Sequence, residues 1–528
     1  MKRLFFILIV ALAFVSTSNC YATIASGTSG TCTWTISDDG TLTVQPTKGG
    51  EGTLGLWTDY RTVPWKDHKS SIKKVVFKGR VNALTCSGMF DECNALENVD
   101  LNGLNTSNAV SMASMFSFCK LLKKLDVSML KTGKATSMSS MFYSTNIETL
   151  DLRNFDTSSV TDMTSMFAWN SSLKSVDLSK FNTSKVKTMY KMFEDCPRLT
   201  KLDLSSFDTR NVTDMGFMFS GCGAPTINLS SFNTSNVTSM WFMFSNAKCE
   251  TLDLRNFDTS KVTNMLQMFS QCYNLKSIKL SSKFNTSKIY SMEKMFANCK
   301  VLSDLDVSMF NTENVTTMEN MFSMCQLLPV IDVSKFNTSK VTNMANMFWS
   351  CQSVKTLNVS NFDTRNVTTM SLMFGRCESL TSLDVSKFNT SNVVSMGSMF
   401  YYCSSLTKLN LTNFVTTNAN INNLFAYDTK LTTIISSAST PSKLKDDTFS
   451  SLPTLGTCKL TCPTASTAAY KKADGWKHLF PSTTGIEEIE SPSNDTYQPS
   501  PIFSTNGTRL SAPRKGINII GGKKVVVK

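Results

Sequence analysis

The sequence predicts an α/β solenoid of about 14 coils with a β-rich N-terminal cap. Three observations lead there. The chain has 528 residues, too many for one ordinary globular core. The dipeptide Met-Phe returns at positions 89, 115, 141, 166, 192, 218, 243, 268, 295, 321, 347, 373 and 399, and Leu424-Phe425 adds a weaker copy at the same 25–27-residue spacing. Each copy also sits in the same apolar pattern. Between positions 192 and 218 it reads Met192-Phe193-x-x-Cys196-x-x-Leu199-x-x-Leu202-Asp203-Leu204-Ser205-x-Phe207-Asp208-Thr209-x-x-Val212-Thr213-x-Met215-x-x-Met218.

Residues 1–22 read as a secretory signal. Lys2-Arg3 form its basic end, Leu4 to Val15 its apolar run, and Cys20-Tyr21-Ala22 a cleavage site. The apolar run is too short to span a bilayer. The residues before Cys20 lack the Leu and small-residue pattern of a lipidation site. A β-rich cap is expected over 23–80.

The solenoid is expected over 81–430. Leu199, Leu202 and Leu204 give L-x-x-L-x-L, with a short strand at its alternating end. Asp208-Thr209 is Asx-turn chemistry that closes the strand. Val212, Met215, Met218 and Phe219 recur at helical spacing and predict one apolar face of a short helix. Each unit is thus expected to hold one strand and about two helical turns, and to bury its apolar side only by stacking on its neighbours. With strands about 4.8 Å apart, such an array extends on the order of 65 Å. Of 29 methionines, 25 fall in the Met-Phe dipeptide or three residues before it, so methionine is a flexible core filler here rather than a binding groove. The column Phe155, Phe181, Phe207, Phe232 and Phe257 is core by the same reasoning.

This unit resembles the BspA-like leucine-rich repeats of bacterial surface proteins. Ser29-Gly30-Thr31-Cys32-Thr33-Trp34, Asp38-Asp39-Gly40-Thr41-Leu42-Thr43-Val44 and Pro64-Trp65 are similar to that family's N-terminal cap. Ala469-Tyr470-Lys471-Lys472-Ala473-Asp474-Gly475-Trp476 is similar to its closing segment, within a C-terminal cap expected over 431–487. The resemblance implies surface attachment, binding to host matrix proteins and cell-to-cell adhesion.

Residues 488–505 are rich in Ser, Pro and Asn and read as a linker. In 506–528, Gly507-Thr508-Arg509-Leu510, Lys515-Gly516-Ile517-Asn518-Ile519 and Lys523-Lys524-Val525-Val526-Val527-Lys528 resemble the short sorting or anchoring segments of Bacteroidota surface proteins. An ordinary terminal β-hairpin is the alternative.

Two columns lie between the core positions. Cys93, Cys119, Cys196, Cys222, Cys272, Cys299, Cys325, Cys351, Cys377 and Cys403 follow the repeat Met by four residues, and Thr145, Asn170, Ala247 and Asp428 replace Cys in the remaining coils. Their spacing is not that of a zinc site, and His is nearly absent, so the column reads as a buried structural ladder, with disulfides between adjacent coils as the rival. Asp100, Asp126, Asp151, Asp177, Asp203, Asp253, Asp306, Asp332 and Asp384 stand between the two apolar strand positions and point outward. In adjacent coils they are expected to repel one another and to gain from Ca²⁺, from Lys124, Lys201 and Lys408, or from a basic partner. The alternative is that Asp simply suits a turn-adjacent position.

The net charge of +13 is no nucleic-acid signal. Two leader cations and six in the last 24 residues account for eight of the thirteen and leave +5 between them. Catalysis has little support. His68 and His478 lie in opposite caps, and neither a phosphate loop nor His-Glu-x-x-His occurs. No cofactor is expected, and no mature segment has 18 continuous apolar residues. The expected function is therefore non-enzymatic. The chain reads as a secreted, outer-membrane-associated or cell-surface protein that binds host matrix proteins, host surface proteins or other cells. The alternative is a surface-layer or spacer protein without a specific ligand. Variety before the Asp column (Asn98, Lys124, Thr149, Ser175, Lys201, Asp304, Val330) favours binding.

Overall fold

The computed structural model describes residues 21–480 and, beyond them, the short strands Ile486–Glu487, Ile502–Ser504, Arg509–Leu510, Gly516–Ile520 and Lys523–Val527, with residue 515. All but the last two residues of the leader expected at 1–22, and most of the linker expected at 488–505, lie outside the described residues. The chain forms two compact units, residues 1–232 and 233–528. Both are built from the coils of a β-solenoid, about 16 turns in all.

The N-terminal unit opens with antiparallel strands Thr23–Ser29, Cys32–Ser37 and Thr41–Pro46. Gly30, at φ 57°, makes the first reversal; a Cβ there would lie 2.3 Å from the Thr53 carbonyl oxygen. Thr41–Pro46 then pairs in parallel with Lys74–Phe77, which pairs with Asn98–Asp100, so the cap passes directly into the coil ladder. Trp34 and Trp57 meet Trp65 edge-on, both at 6.4 Å, and Trp65 stacks on Phe90 at 6.3 Å.

Many coils contribute a short strand, three residues long in most cases, to parallel ladders, and the coils at 124–126, 226–228, 330–332 and 356–358 pass the same position without one. Ser175, Val176 and Asp177 face Thr149, Leu150 and Asp151 in register. The middle residue is buried and its neighbours face outward, as period-2 alternation requires. Beyond the strand, Asp and Asn close Asx turns: Asp208 Oδ1 accepts the Arg210 amide at 3.1 Å and Asn182 Oδ1 the Ser184 amide at 3.1 Å. The threonine after them is buried and joins neighbouring coils. Thr312 Oγ1 donates to the Asn337 carbonyl at 2.9 Å and accepts the Asn337 amide at 2.8 Å. A second parallel edge follows, through bridges such as Ser137 to Asp162 and Thr317 to Asn343.

The two helical turns expected at Met-x-x-Met-Phe are not helix. Amides here alternate between their own coil and the next. Met192 donates to Met189 O at 3.1 Å and Glu194 to Lys191 O at 3.1 Å, whereas Lys191, Phe193 and Asp195 donate to Gly216, Met218 and Ser220 at 2.7–3.0 Å. An α-helix would direct each amide to the residue four before it. Residues with positive φ recur four apart in each unit, as at Lys191 (60°) and Asp195 (49°), and stop a helix from forming. The apolar set is nonetheless buried as expected: Val212, Met215, Met218 and Phe219 are all fully buried. Among the described residues, Thr467–Lys472 is the one α-helix.

Phenylalanine rings stack along the interior of each unit. Phe116, Phe142, Phe167, Phe193 and Phe219 lie 5.5–6.0 Å apart in sequence. Phe296, Phe322, Phe348, Phe374 and Phe400 lie 5.6–5.9 Å apart. The strand ladder of the C-terminal unit runs on to Thr433–Ile435 and Lys459–Thr461. Its cap buries Tyr470 and Trp476, whose ring N–H donates to the Ser442 carbonyl at 2.9 Å. In the tail, Gly516–Ile520 pairs with Lys523–Val527 as an antiparallel hairpin, flanked by Ile486–Glu487 and by Ile502–Ser504 with Arg509–Leu510.

Candidate binding surfaces

The Cys column lies wholly inside the coils. Each Sγ from Cys272 to Cys403 donates to a Phe carbonyl one coil earlier, at 2.9–3.3 Å. Cys119 and Cys196 do the same toward Phe90 and Phe167, at 3.2 and 3.0 Å. Cys93 and Cys222 are equally buried. None of the ten ladder cysteines is in a disulfide. Burial holds Cys93, Cys325 and Cys377 up at about 12, which keeps them protonated and able to donate. Among the described residues no cluster of His, Cys, Asp or Glu is arranged to hold a metal ion.

Of the replacements, Asn170 keeps the bond to a Phe carbonyl one coil earlier and Asp428 does not. Asn170 Nδ2 donates to the carbonyls of Phe142 and Phe167, both at 2.7 Å, while its Oδ1 accepts the Thr145 amide at 3.0 Å and hydroxyl at 2.6 Å. Asp428 Oδ1 accepts the Cys403 amide at 2.8 Å. Its Oδ2 is buried without a partner, and burial raises the carboxyl to about 8.

The Asp column stands on the outer strand face. Each carboxylate closes onto its own turn. Asp126, Asp177, Asp203, Asp306, Asp332 and Asp384 accept the amide two residues on, from a Ser in every case, at 2.8–3.0 Å. Asp100 takes the Asn102 amide at 2.9 Å. Asp151 and Asp253 accept from Arg153 and Arg255, whose guanidinium groups come within 2.6 Å. These side-chain bonds, followed by backbone bonds, hold Asp151 down at about 2; Asp253, also at about 2, rests first on its Arg255 bond. The Ser128 amide and hydroxyl lower Asp126, and the opposing push from Asp151 is the smallest influence on it. Mutual repulsion is therefore minor beside local hydrogen bonding. The lysines expected to neutralise the column do so only in part: Lys201 helps to lower Asp203, while Arg153 reaches Asp177 at 3.8 Å. In the N-terminal unit these side chains line a shallow, open depression formed by Asp151, Arg153, Asp177, Lys201 and Asp203.

A second outer surface escaped the sequence reading. The residue two after each Met-Phe has positive φ in coil after coil. Gly221, Asn246 and Asn298 suit that backbone, but Trp169 (61°), Tyr402 (59°) and Tyr427 (68°) do not. Trp169 is 51% exposed and Tyr427 55% exposed. Trp169 Nε1 donates to Glu194 Oε2 at 3.2 Å, and Lys191 lies 4.8 Å from the Phe217 ring centre. The available signal was aromatic residues at a repeat position that elsewhere holds Ser144, Gly221, Asn246 or Asn298, a weak one because Glu92, Gln271, Met324 and Arg376 stand there too. His68 and His478 take no part in either surface: His68 packs near Trp34, and His478 bonds Asp446 at 2.9 Å.

No helix of the described residues is long and apolar enough to cross a membrane. A family model described as "Mycoplasma protein of unknown function, DUF285" matches residues 79–174, 144–251, 248–329 and 323–438, together more than half of the chain. No curated protein matches the sequence. Among solved structures, a leucine-rich repeat protein from Bacteroides ovatus shares 14% identity over 82% of this chain and 98% of its own, with a TM-score of 0.36. One from Eubacterium ventriosum shares 16% over 72% and 95%, at 0.33. A leucine rich cell surface protein from Faecalibacterium prausnitzii shares 14% over 78% and 95%, at 0.27. All three are bacterial proteins described as leucine-rich. Their low scores leave the architecture to rest on the chain's own geometry.

Proposed function

From the premise that this chain belongs to the DUF285 family, and that its fold is a leucine-rich-repeat solenoid, we propose that it is a secreted or surface-displayed protein that binds another protein in adhesion. The observation that carries this reading is the outer strand face of the N-terminal unit. Asp151, Arg153, Asp177, Lys201 and Asp203 stand out from a rigid ladder, and the three carboxylates are fixed by their own turns. Charges already held in place lose little freedom when a partner docks, and a mixture of both signs selects among partners. The partners proposed are host matrix or surface proteins, or proteins of other cells. Ca²⁺ shared along the Asp column is a proposed aid to that contact.

The test is binding of the purified protein to immobilised matrix proteins and mucins, with and without Ca²⁺. Saturable binding that falls in an Asp177→Lys, Asp203→Lys double variant supports the reading. Loss on chelation ties it to the Asp column. Absence of any saturable binding transfers the weight to a spacer role.

A further inference from the structure

We propose that Arg376, Tyr401, Tyr402 and Tyr427 form a binding site for a neutral saccharide, on a face separate from the strand ladder and independent of the protein-binding reading. The three tyrosines come from two successive coils. Their ring centres lie 6.1 Å apart for Tyr401 and Tyr402, 5.6 Å for Tyr402 and Tyr427, and 5.3 Å for Tyr401 and Tyr427. The last pair meets edge-on at 79°, so the rings form a corner rather than a closed stack. Tyr427 is 55% exposed and the other two are half-buried.

The backbone supplies a second, separate observation. Arg376, Tyr402 and Tyr427 sit at φ 58°, 59° and 68°. Gly221, Asn246 and Asn298 hold the same repeat position in other coils at less strain. Tyr402 and Tyr427 fill no core space that would offset the strain, since the Phe rings beneath them do that. Phe118, Trp169 and Met324 hold this position in other coils, so what sets these coils apart is that two tyrosines stand there side by side, with Arg376 at the same position one coil earlier.

Charge decides the class of ligand. Arg376 already lies over the Tyr402 ring at 5.3 Å, so a cationic ligand meets a like charge on an occupied face. Glu378 Oε1 lies 3.5 Å from the Arg376 guanidinium and accepts Gln352 Nε2 at 3.0 Å, so the cluster has no surplus positive charge for a polyanion. The remaining features are the partly exposed tyrosine rings, Tyr427 above all, and their phenolic hydroxyls; the Arg376 Nε is buried and takes no part. A pyranose matches this set: its C–H face packs on a ring and its hydroxyls meet the phenolic hydroxyls.

The probes are maltohexaose, xylohexaose and chitohexaose, titrated by calorimetry into the full chain. Tyr402→Asn and Tyr427→Asn are the variants, because Asn fits the left-handed backbone and should leave the melting temperature unchanged or higher. At least one saccharide should bind, and each variant should weaken it tenfold or more. Asp177→Lys on the strand face should leave that binding intact while reducing protein binding, which separates the two readings. The proposal is overturned if none of the three saccharides binds, or if both variants bind as well as the parent. It is also overturned if the variants lose a matrix protein instead, which would make the patch a protein-docking surface.

Discussion

Asn170 and Asp203 each use a side-chain oxygen to accept a backbone amide, one inside a coil and the other outside. Asn170 takes the Thr145 amide from the neighbouring coil at 3.0 Å, and Asp203 takes the Ser205 amide of its own turn at 3.0 Å. The interior bond therefore ties coils together, and no water can replace it if it is lost. The exterior bond completes one turn and leaves the next coil untouched. Interior positions are held by the stacking, whereas exterior positions are free to diversify. That freedom is what a binding surface on a repeat protein requires.

The contrast can be broken most forcefully from the inside. Phe322 is fully buried between Phe296 and Phe348, at 5.6 and 5.8 Å. Phe322→Ala should lower unfolding stability by about 3–5 kcal/mol in urea titrations. A small effect would mean that the interior relaxes as readily as the surface.

Asp428 sharpens the contrast, because it is an interior rung with the wrong protonation chemistry. Its carboxyl is raised to about 8 in the fold, against an ordinary value of 3.8. The folded chain thus holds a proton that the unfolded chain releases near pH 4. The stability this proton lends is complete below about pH 4 and is lost as pH rises toward 8. Asp428→Asn, with the donor that Asn170 shows the site can use, should gain about 2 kcal/mol over the parent at pH 8. The two proteins should converge toward pH 4, as read by melting temperature across that range. A constant gap would refute the assignment.

Thr312→Val should cost about 1–2 kcal/mol, since it strips both the Asn337 amide and carbonyl of their partner. Asp203→Asn on the exterior should change stability by no more than about 0.5 kcal/mol. Asn228 and Asn358 already close the same turn, accepting the amides of Ser230 and Ser360 at 3.1 Å. A larger loss would show that the strand face is structural after all.

How much of this was legible in the sequence depended on the residue. The strand, the outward Asp and the buried Met and Phe follow from spacing, because alternation and burial write themselves into residue type. The helical turns did not follow. Met-x-x-Met-Phe satisfies a helix period and also a run of tight turns whose amides alternate between coils, so apolar spacing cannot separate the two. A partial signal lay in Ser114, Ser140, Asn320, Asn346 and Asn423, small polar residues at one recurring position with φ between 53° and 57°, but Lys191, Phe217, Phe242 and Leu372 adopt the same backbone there and mask it. Tyr402 and Tyr427, at the second positive-φ position four residues further on, are noticed only once the backbone angle there is known. The repulsion expected along the Asp column failed to dominate because the acceptor roles of those carboxylates toward Ser amides lie two residues away and outrank charges one coil away.

The alternation of amides between one coil and the next also bears on mechanics. Along the turn face within each compact unit, each coil is fastened to its neighbour by several short parallel bonds, as Lys191, Phe193 and Asp195 are to the following coil. A pull along the chain loads the outermost row of these fasteners first and spares the rest. Such a body would lengthen by rupture of one coil at a time, each releasing roughly 26 residues, or about 90 Å of slack. Stretched between two anchors, it would act as a shock absorber, with each rupture limiting the force passed to the bond it protects.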